Sequence, residues 1–326
     1  MKPVVSAIIT TYKRPMAIVE RAVCSVIKQS FQKMEIIVVD DNSDEWKEIY
    51  GLNELENKYS RYGLRYITYS GNHGACYARN VGLSKAEGEY VAFLDDDDEW
   101  LPDKIEKQIS RMTDENIAMV YCSAKTIHET NGRVSDGQRC VFRGKIYPQL
   151  IIENFVGSTS FPLIRKSCLE EIGGFDVLMQ SAQDYDVWLR LSEKYSIDYV
   201  DEDLGIYHVH SGEQITKNPD KKIAGLERLN EKNKYYLEQE SNKNAKWIRT
   251  IKIAPFYAMK GQCKKAMDLW WDAVKINPIS LTTNTKYLLY VFMEYRMNKK
   301  KVGGAVSHRI KPQTSLTMEG RCLYAF

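Results

Sequence analysis

No apolar run in the chain approaches the roughly 18–20 residues that cross a bilayer, so no membrane-spanning helix is expected. Charge of one sign is not in excess either. The 46 basic and 43 acidic residues leave a net charge of +3, too mild for a chain that binds nucleic acid along its length. The seven cysteines (Cys24, Cys76, Cys122, Cys140, Cys168, Cys263, Cys322) are odd in number and include no C-x-x-C pair. That argues against a disulfide framework or a structural zinc site. Also missing are the glycine-rich phosphate cradles G-x-G-x-x-G and Walker A, and a charged leader with a cleavage site. These absences predict a soluble cytoplasmic protein with reduced thiols. Any phosphates it binds must be neutralised by something other than a glycine loop.

What is present is an alternation. Val4–Thr10 is a β-branched apolar run that reads as a buried strand, and Ile18, Ala22, Val23, Val26 and Ile27 then recur at helical spacing. A second buried strand is expected at Glu35–Val39, a polar helix over Asp44–Tyr59, and a strand at Leu64–Ser70. "HGACYARNVGLSKA" reads as loop into helix and "YVAFL" as a strand; a helix from about Pro102 and a strand at Ala118–Ser123 follow. Strand and helix in turn predict an α/β fold with a mostly parallel sheet. Such sheets bind ligands beyond the carboxyl ends of their strands. Those ends hold "TTYKR", "DDNSD", "SGNHG" and "DDDDE", so these four polar clusters should converge.

Beyond Ser123 the pattern loosens, through the strand-like "STSFPLIR" to "SAQDYDVWLRLSEKY", a helix entered through Asp184 that carries Tyr185, Trp188, Leu189 and Leu191. From Pro219 the chain turns helical and rich in Lys, Glu and Asn. The expected division is residues 1–215 and a helical extension, 216–326. Within the extension, Tyr257–Pro278 resembles one tetratricopeptide-type hairpin, with Gly261, Ala266 and Ala273 as its small residues. Lys286–Lys301 joins an apolar run to a basic end. It suits peripheral contact with an anionic membrane face or ordinary packing on the tail.

The run Asp95–Asp98 sets four like charges side by side. A capping turn would use Asp98 or Glu99 and leave the others unexplained. Clustered carboxylates on a turn suit hard divalent cations, Mn²⁺ or Mg²⁺, which keep open positions for phosphate oxygens. Asp40 and Asp41 end the second strand, either as a turn with Asn42 and Ser43 or as acceptors for a ribose or base.

The segments "SAIITTYKRP", "QSFQKMEIIVVDDNSDE", "GNHGACYARNVGLSKAEGEYVAFLDDDDEWLPDKIEKQ", "IGGFD" and "AQDYDVWLRLSEKY" together resemble family 2 glycosyltransferases over residues 1–215. The resemblance implies the GT-A nucleotide-diphospho-sugar transferase fold and a set of residue roles. Thr10, Tyr12 and Arg14 would lie along the nucleotide, with Asp40 and Asp41 at its base and Arg79 beside it. Asp95 and Asp97 match the D-x-D motif, the first near the ribose and the second the metal ligand, with Asp96 and Asp98 as companions. His210 matches a histidine close to the metal or diphosphate, and Asp184 the general base. Two positions depart from the pattern: Gln183 stands where Glu is common, and His208 where Arg is common.

The resemblance implies an inverting, metal-dependent transfer from a nucleotide-sugar donor, with a UDP-sugar expected. The acceptor would be a hydroxyl of a glycan or lipid-linked saccharide of the cell envelope, and nucleic acid is not an expected partner. Asp186 is a rival base whose bland reading is an exposed first-turn acid. Gly157–Ser160 and Asp136–Tyr147 are expected to flank the acceptor, and Trp100 is either a sugar platform or a core aromatic. The competing reading is a degenerate glycan- or nucleotide-binding scaffold acting through its tail. A nucleotidyltransferase would need a glycine-rich first loop, and a processive polymerase a Q-x-x-R-W motif; neither occurs.

Overall fold

The computed structural model describes residues 3–42, 44–210 and 218–278. The chain forms two compact units: Met1–Lys217 with Ala224–Leu229, and Asn218–Ile223 with Asn230–Phe326.

The first unit is built on a nine-stranded sheet. Its strands are β1 (Val5–Thr11), β2 (Met34–Asp40), β3 (Leu64–Thr68), β4 (Tyr90–Asp95), β5 (Glu99–Trp100), β6 (Ile117–His128), β7 (Arg133–Ser135), β8 (Leu163–Arg165) and β9 (Ser196–Val209). They lie in the order β3-β2-β1-β4-β8-β6-β9-β5, with β7 paired to β6. β3, β2, β1 and β4 run parallel, as do β6 and β9. β8 is antiparallel to both its neighbours, and β5 to β9. This is the mostly parallel, helix-flanked sheet that the alternation predicts.

The strands read as continuous apolar runs because the sheet is covered on both faces. Val5, Ala7 and Ile9 cluster with Val19, Val23 and Val26 of the helix Met16–Ile27, along with Ile36 and Val38 of β2. On the other face the helix Ala75–Lys85 packs closely at Gly82, where a Cβ would lie 2.4 Å from Ile8 Cγ2. Burial against Ile8 and Val39 therefore requires glycine there. Arg79, three residues earlier on the same helix face, is held near the end of β4 by this packing.

Several elements differ from expectation. The helix over Asp44–Tyr59 is two, Asp44–Tyr50 and Glu54–Tyr59. The chain turns at Gly51 (φ +61°), which delivers Leu52 and Leu55, both fully buried, to the core. β6 continues past Ser123 to His128 because β9 pairs along its whole length, from Ser196 opposite Ile117 to Val209 opposite His128. Trp100 is a core residue rather than a sugar platform: it is 3% exposed and its indole N–H donates to the Ser160 carbonyl at 2.8 Å.

Lys104 lies beneath Trp100, fully buried, with its ammonium 4.4 Å from the ring centroid and 2.8 Å from Gln108 Oε1. Burial lowers its pKa from 10.5 to about 8. Between those values the unfolded chain binds more protons than the folded one, so folded stability rises with pH across that window. Lys104→Met removes this titration, while its loss of the Gln108 contact is independent of pH. From pH 7 to pH 10, stability should therefore shift toward wild type relative to the variant by about 2–3 kcal/mol. Parallel denaturation curves at the two pH values that show a constant difference would exclude this.

In the second unit the helices Ala254–Met259 and Cys263–Ile276 turn on one another at Gly261 (φ +75°), with Ala266 and Ala273 buried, at the place where a helical hairpin was expected. Trp247, Ile251 and Ala273 form its core. No helix among the described residues is long and apolar enough to cross a membrane. The basic segment Lys286–Lys301 and Cys322 lie outside the described residues; Cys24, Cys76, Cys122, Cys140, Cys168 and Cys263 are free thiols.

Candidate active site

Parallel register lines up the strand ends. Thr10 pairs with Val39 and Asp95, and Thr11 and Thr68 both pair with Asp40. The four polar clusters do meet at this edge, through Lys13 N–H donating to Asn42 Oδ1 (2.8 Å), Arg14 reaching Asp96 and Asp97, and Asp41 bound to the Tyr69–Gly74 loop.

Each carboxylate of the Asp95–Asp98 turn has its own partners. Asp95 accepts from Arg79 Nη2 (2.7 Å), Thr159 Oγ1 (3.0 Å) and Ser158 Oγ (3.1 Å). Asp96, nearly buried, accepts from Arg14 Nε at 3.0 Å; desolvation outweighs that cation and pushes its pKa up to about 7. Asp97 Oδ2 receives both Arg14 Nη2 (2.5 Å) and His210 Nε2 (2.8 Å), and its carbonyl accepts from Arg21 Nη2 (2.8 Å). Asp98 accepts from Ser160 Oγ (2.6 Å) and the His208 N–H (3.3 Å), and burial raises its pKa well above the usual carboxylate range.

This corrects two expectations. Asp98 is not a helix cap but a buried anchor for Ser160, in the loop before β8, and for His208 of β9. The repulsion within the run is offset by the protein's own arginines and hydroxyls, not only by a bound cation. Ser158, Thr159 and Ser160, expected on the acceptor side, are spent on these aspartates. The loop Asp136–Tyr147 is tied to β9 through Gly137 N–H to Asp203 (3.2 Å) and Cys140 N–H to Asp201 (3.0 Å).

Along the nucleotide edge, Thr10 is half-buried and Tyr12 is 44% exposed, so its ring is open to stacking. Asp40 is fully buried and accepts from Asn42 and the Tyr66 hydroxyl. Asp41 accepts four hydrogen bonds at 2.8 Å, two per oxygen: from Tyr69 Oη and His73 N–H, and from Asn72 Nδ2 and Gly74 N–H. A carboxylate offers about four lone-pair sites. In this structure Asp41 clamps the loop after β3, and a base reaching it has to displace one donor.

Arg79 joins the two halves of the site. It is almost fully buried; Nη2 bonds Asp95, Nη1 bonds Gln183 Oε1 (3.0 Å), and the guanidinium lies 5.5 Å from the Phe175 ring centroid. Its terminal nitrogens thus act behind Asp95 rather than on an open ligand surface, which revises the placement beside a nucleotide. Gln183 opens the helix Gln183–Lys194, entered through Ala182 in the left-handed conformation (φ +55°). Asp184 is half-buried in its first turn, with Oδ1 accepting from Tyr185 N–H at 2.7 Å. Asp186 is not an exposed acid: it is 1% exposed and held by Arg190 Nε (2.9 Å) and Nη2 (2.7 Å). Arg190 also ties the Ile172 and Gly174 carbonyls, which makes this pair structural.

On β9 alternate side chains diverge. His208 is buried, with its ring nitrogens on Glu99 (2.9 Å) and Glu129 (3.3 Å), two acids that Arg21 also contacts. It is unsuited to contact a diphosphate. Tyr207 lies instead among the acids: burial first, then the charges of Asp98, Asp95, Asp97 and Asp184, raise its phenol pKa. The start of the Asp184 helix lies beside the aspartate turn because Arg79 bonds Asp95 and Gln183 at once. Arg21 was not expected from the sequence, and nothing local in the chain marks it.

Among the described residues no group of three or more His, Cys, Asp or Glu side chains forms a metal cage. The pair Asp97–His210 nevertheless suits Mn²⁺ or Mg²⁺. Two cis ligands with bonds of about 2.1 Å stand about 3 Å apart, and Asp97 Oδ2 and His210 Nε2 are 2.8 Å apart. Phosphate oxygens and water would supply the remaining positions.

The model of Glycosyl transferase family 2 matches residues 6–173. The Escherichia coli (strain K12) protein named as a colanic acid biosynthesis glycosyl transferase, WcaA, is 30% identical over 74% of this chain and 85% of its own length. The Bacillus subtilis (strain 168) protein named as a teichuronic acid biosynthesis glycosyltransferase, TuaG, is 31% identical over 59% and 73%. Three longer relatives, 27–30% identical, are matched over only 31–36% of their length. Among solved structures, Staphylococcus aureus TarS 1–349 with UDP-GlcNAc superimposes with a TM-score of 0.62 at 18% identity, over 93% of this chain and 92% of that one. The Pyrobaculum calidifontis mannosyltransferase PcManGT with GDP-Man and Mn²⁺ gives 0.57 at 15% identity, over 93% and 85%. The sheet order and flanking helices are thus those of the GT-A fold, and the chain belongs to glycosyl transferase family 2.

Proposed function

We propose that the chain transfers a sugar, with inversion, from a UDP-sugar to a hydroxyl of a glycan or lipid-linked saccharide in cell-envelope polysaccharide biosynthesis. The observation that carries this reading is the shared oxygen of Asp97, which sits beside His210 just past the end of a parallel strand, while Arg79 bonds both Asp95 of the same turn and Gln183, the residue before Asp184. The names of WcaA and TuaG support the envelope-polysaccharide class, and the ligands in the TarS and PcManGT structures support a nucleotide sugar with a divalent cation. The catalytic unit is residues 1–215, with 216–326 as an extension.

In this scheme Asp97 and His210 hold Mn²⁺ or Mg²⁺, which supplies Lewis-acid stabilisation of the departing diphosphate. Tyr12 stacks on the base, and Thr10, Asp40 and Asp41 shape the nucleotide edge. Asp95 faces the ribose, held by Arg79, Ser158 and Thr159. Asp184 takes the acceptor proton as the hydroxyl attacks the anomeric carbon opposite the leaving group. A single displacement inverts that carbon.

Incubating the protein with a panel of nucleotide sugars and Mn²⁺, without acceptor, should release nucleoside diphosphate slowly from one donor and stop with chelator. Asp97→Ala should weaken Mn²⁺-dependent donor affinity about 10–100-fold, a typical cost for a disrupted metal site. Donor binding in the variant that still responds to Mn²⁺ as in wild type would remove Asp97 from the metal site. If no donor is bound or hydrolysed, the chain is a scaffold instead.

A further inference from the structure

Arg14 fills the position where a divalent cation would bind. Its Nη2 lies 2.5 Å from Asp97 Oδ2 and 3.3 Å from His210 Nε2, and its Nε lies 3.0 Å from Asp96 Oδ1. One guanidinium thus spans adjacent carboxylates and touches both groups of the Asp97–His210 pair. The backbone is set up to deliver it: Lys13, just before, is in the left-handed conformation (φ +51°), unusual for a residue with a side chain. That conformation is held by its N–H on Asn42 Oδ1 (2.8 Å) and its ammonium 4.3 Å from the Trp46 ring centroid. Arg14 differs from Arg79 in exposure. Its side chain is 26% exposed, against 9% for Arg79, so it has a way out to solvent.

We propose that Arg14 is a resident counter-ion that holds Asp96 and Asp97 together in the metal-free protein and exchanges its Asp97 contact for the donor's phosphates when the metal enters. A cation bonded to Asp97 Oδ2 and His210 Nε2 at about 2.1 Å leaves no room for Nη2 on the same oxygen, and the two positive charges repel. The Nε contact to Asp96 tethers the displaced guanidinium beside the site. A phosphate there offers paired oxygens that match its planar fork. The consequence is ordered binding: bare metal binds weakly because it must displace a cation, whereas metal with a diphosphate brings Arg14 a new partner. Only the identity of the diphosphate rests on the glycosyltransferase reading.

The test is Mn²⁺ binding without nucleotide, followed by calorimetry or by the Mn²⁺ electron paramagnetic resonance signal, on wild type, Arg14→Met and Arg14→Lys. Arg14→Met should bind Mn²⁺ about tenfold tighter than wild type, by removal of one competing charge at close range, with Arg14→Lys between them. Adding His210→Ala should abolish the gain, which places the bound metal at this pair. UDP affinity in saturating Mn²⁺ should fall about tenfold in Arg14→Met, the scale of a lost charge-assisted contact. Equal or weaker Mn²⁺ binding by both folded Arg14 variants overturns the proposal. Tighter Mn²⁺ binding with no UDP binding by any form sustains the counter-ion while refuting the donor reading.

Discussion

Asp184→Asn is expected to abolish sugar transfer, with kcat lowered about 10²–10⁴-fold as for loss of a general base, while donor affinity stays within about twofold. The amide keeps the oxygen that accepts from Tyr185 N–H, so the first turn of Gln183–Lys194 should form as before. What it cannot do is take a proton at neutral pH. The acceptor hydroxyl is a poor nucleophile until its proton leaves, whereas in the proposed mechanism Asp97, His210 and the nucleotide edge hold the donor. The two effects should therefore separate: kcat falls, the donor Kd does not, and slow hydrolysis to nucleoside diphosphate persists. Asp186 offers no substitute, since Arg190 holds its carboxylate in the interior. Transfer at the wild-type rate would remove Asp184 from the role of base, and loss of donor binding would recast it as a donor ligand.

The second large effect is on stability. Arg79→Met is expected to destabilise the protein by about 3–5 kcal/mol, because it leaves the Asp95 carboxylate without its buried cation. For a unit of this size that corresponds to a fall in Tm of roughly 10 °C. Methionine can still pack on Phe175, so the loss is chiefly electrostatic. Asp95 retains Ser158 and Thr159, which are neutral donors, and Gln183 Oε1 loses the bond from Arg79. Adding Asp95→Asn should recover about half of the lost stability, since the orphaned charge is then gone; a double-mutant cycle measures this coupling directly. Additive losses would mean that Arg79 acts through packing alone. Arg79→Lys should rescue little, as one ammonium cannot reproduce the two directed bonds to Asp95 and Gln183.

The contrast between Arg14 and Arg79 gives the site its logic. Both are basic residues that the family pattern sets near a nucleotide, and both neutralise acids of the Asp95–Asp98 turn. Arg79 is sealed in and bridges the turn to the helix that carries Asp184, so its charge is part of the framework. Arg14 is partly open and sits on the oxygen that a metal would use, so its charge is exchangeable. The Gln183 departure belongs to this picture as well. A glutamate there would give Arg79 a second anion to share, whereas the neutral amide leaves Asp95 as the anion that Arg79 bonds.

The sequence by itself determined the strand–helix alternation, the acidic strand ends and the helix opening at "QDYD". These rest on periodicity and turn chemistry that act within about a dozen residues, and they sufficed to expect the Asp95–Asp98 turn on one edge with the other strand ends, whereas the place of Asp184 in the same site came only from the family resemblance. Only the tertiary structure decided which charge meets which. Arg14 finds Asp97 across 83 positions, and Ser158 finds Asp95 across 63. These pairings follow from β4 lying between β1 and β8, a strand order that no local pattern encodes. The same non-local packing turned His208 toward Glu99 and Glu129 and buried Asp186 and Lys104, although their partners Arg190 and Trp100 are each only four residues away in the chain. An acidic run that looks uniform in one dimension becomes four carboxylates with four environments, because burial and partner identity are properties of the folded chain.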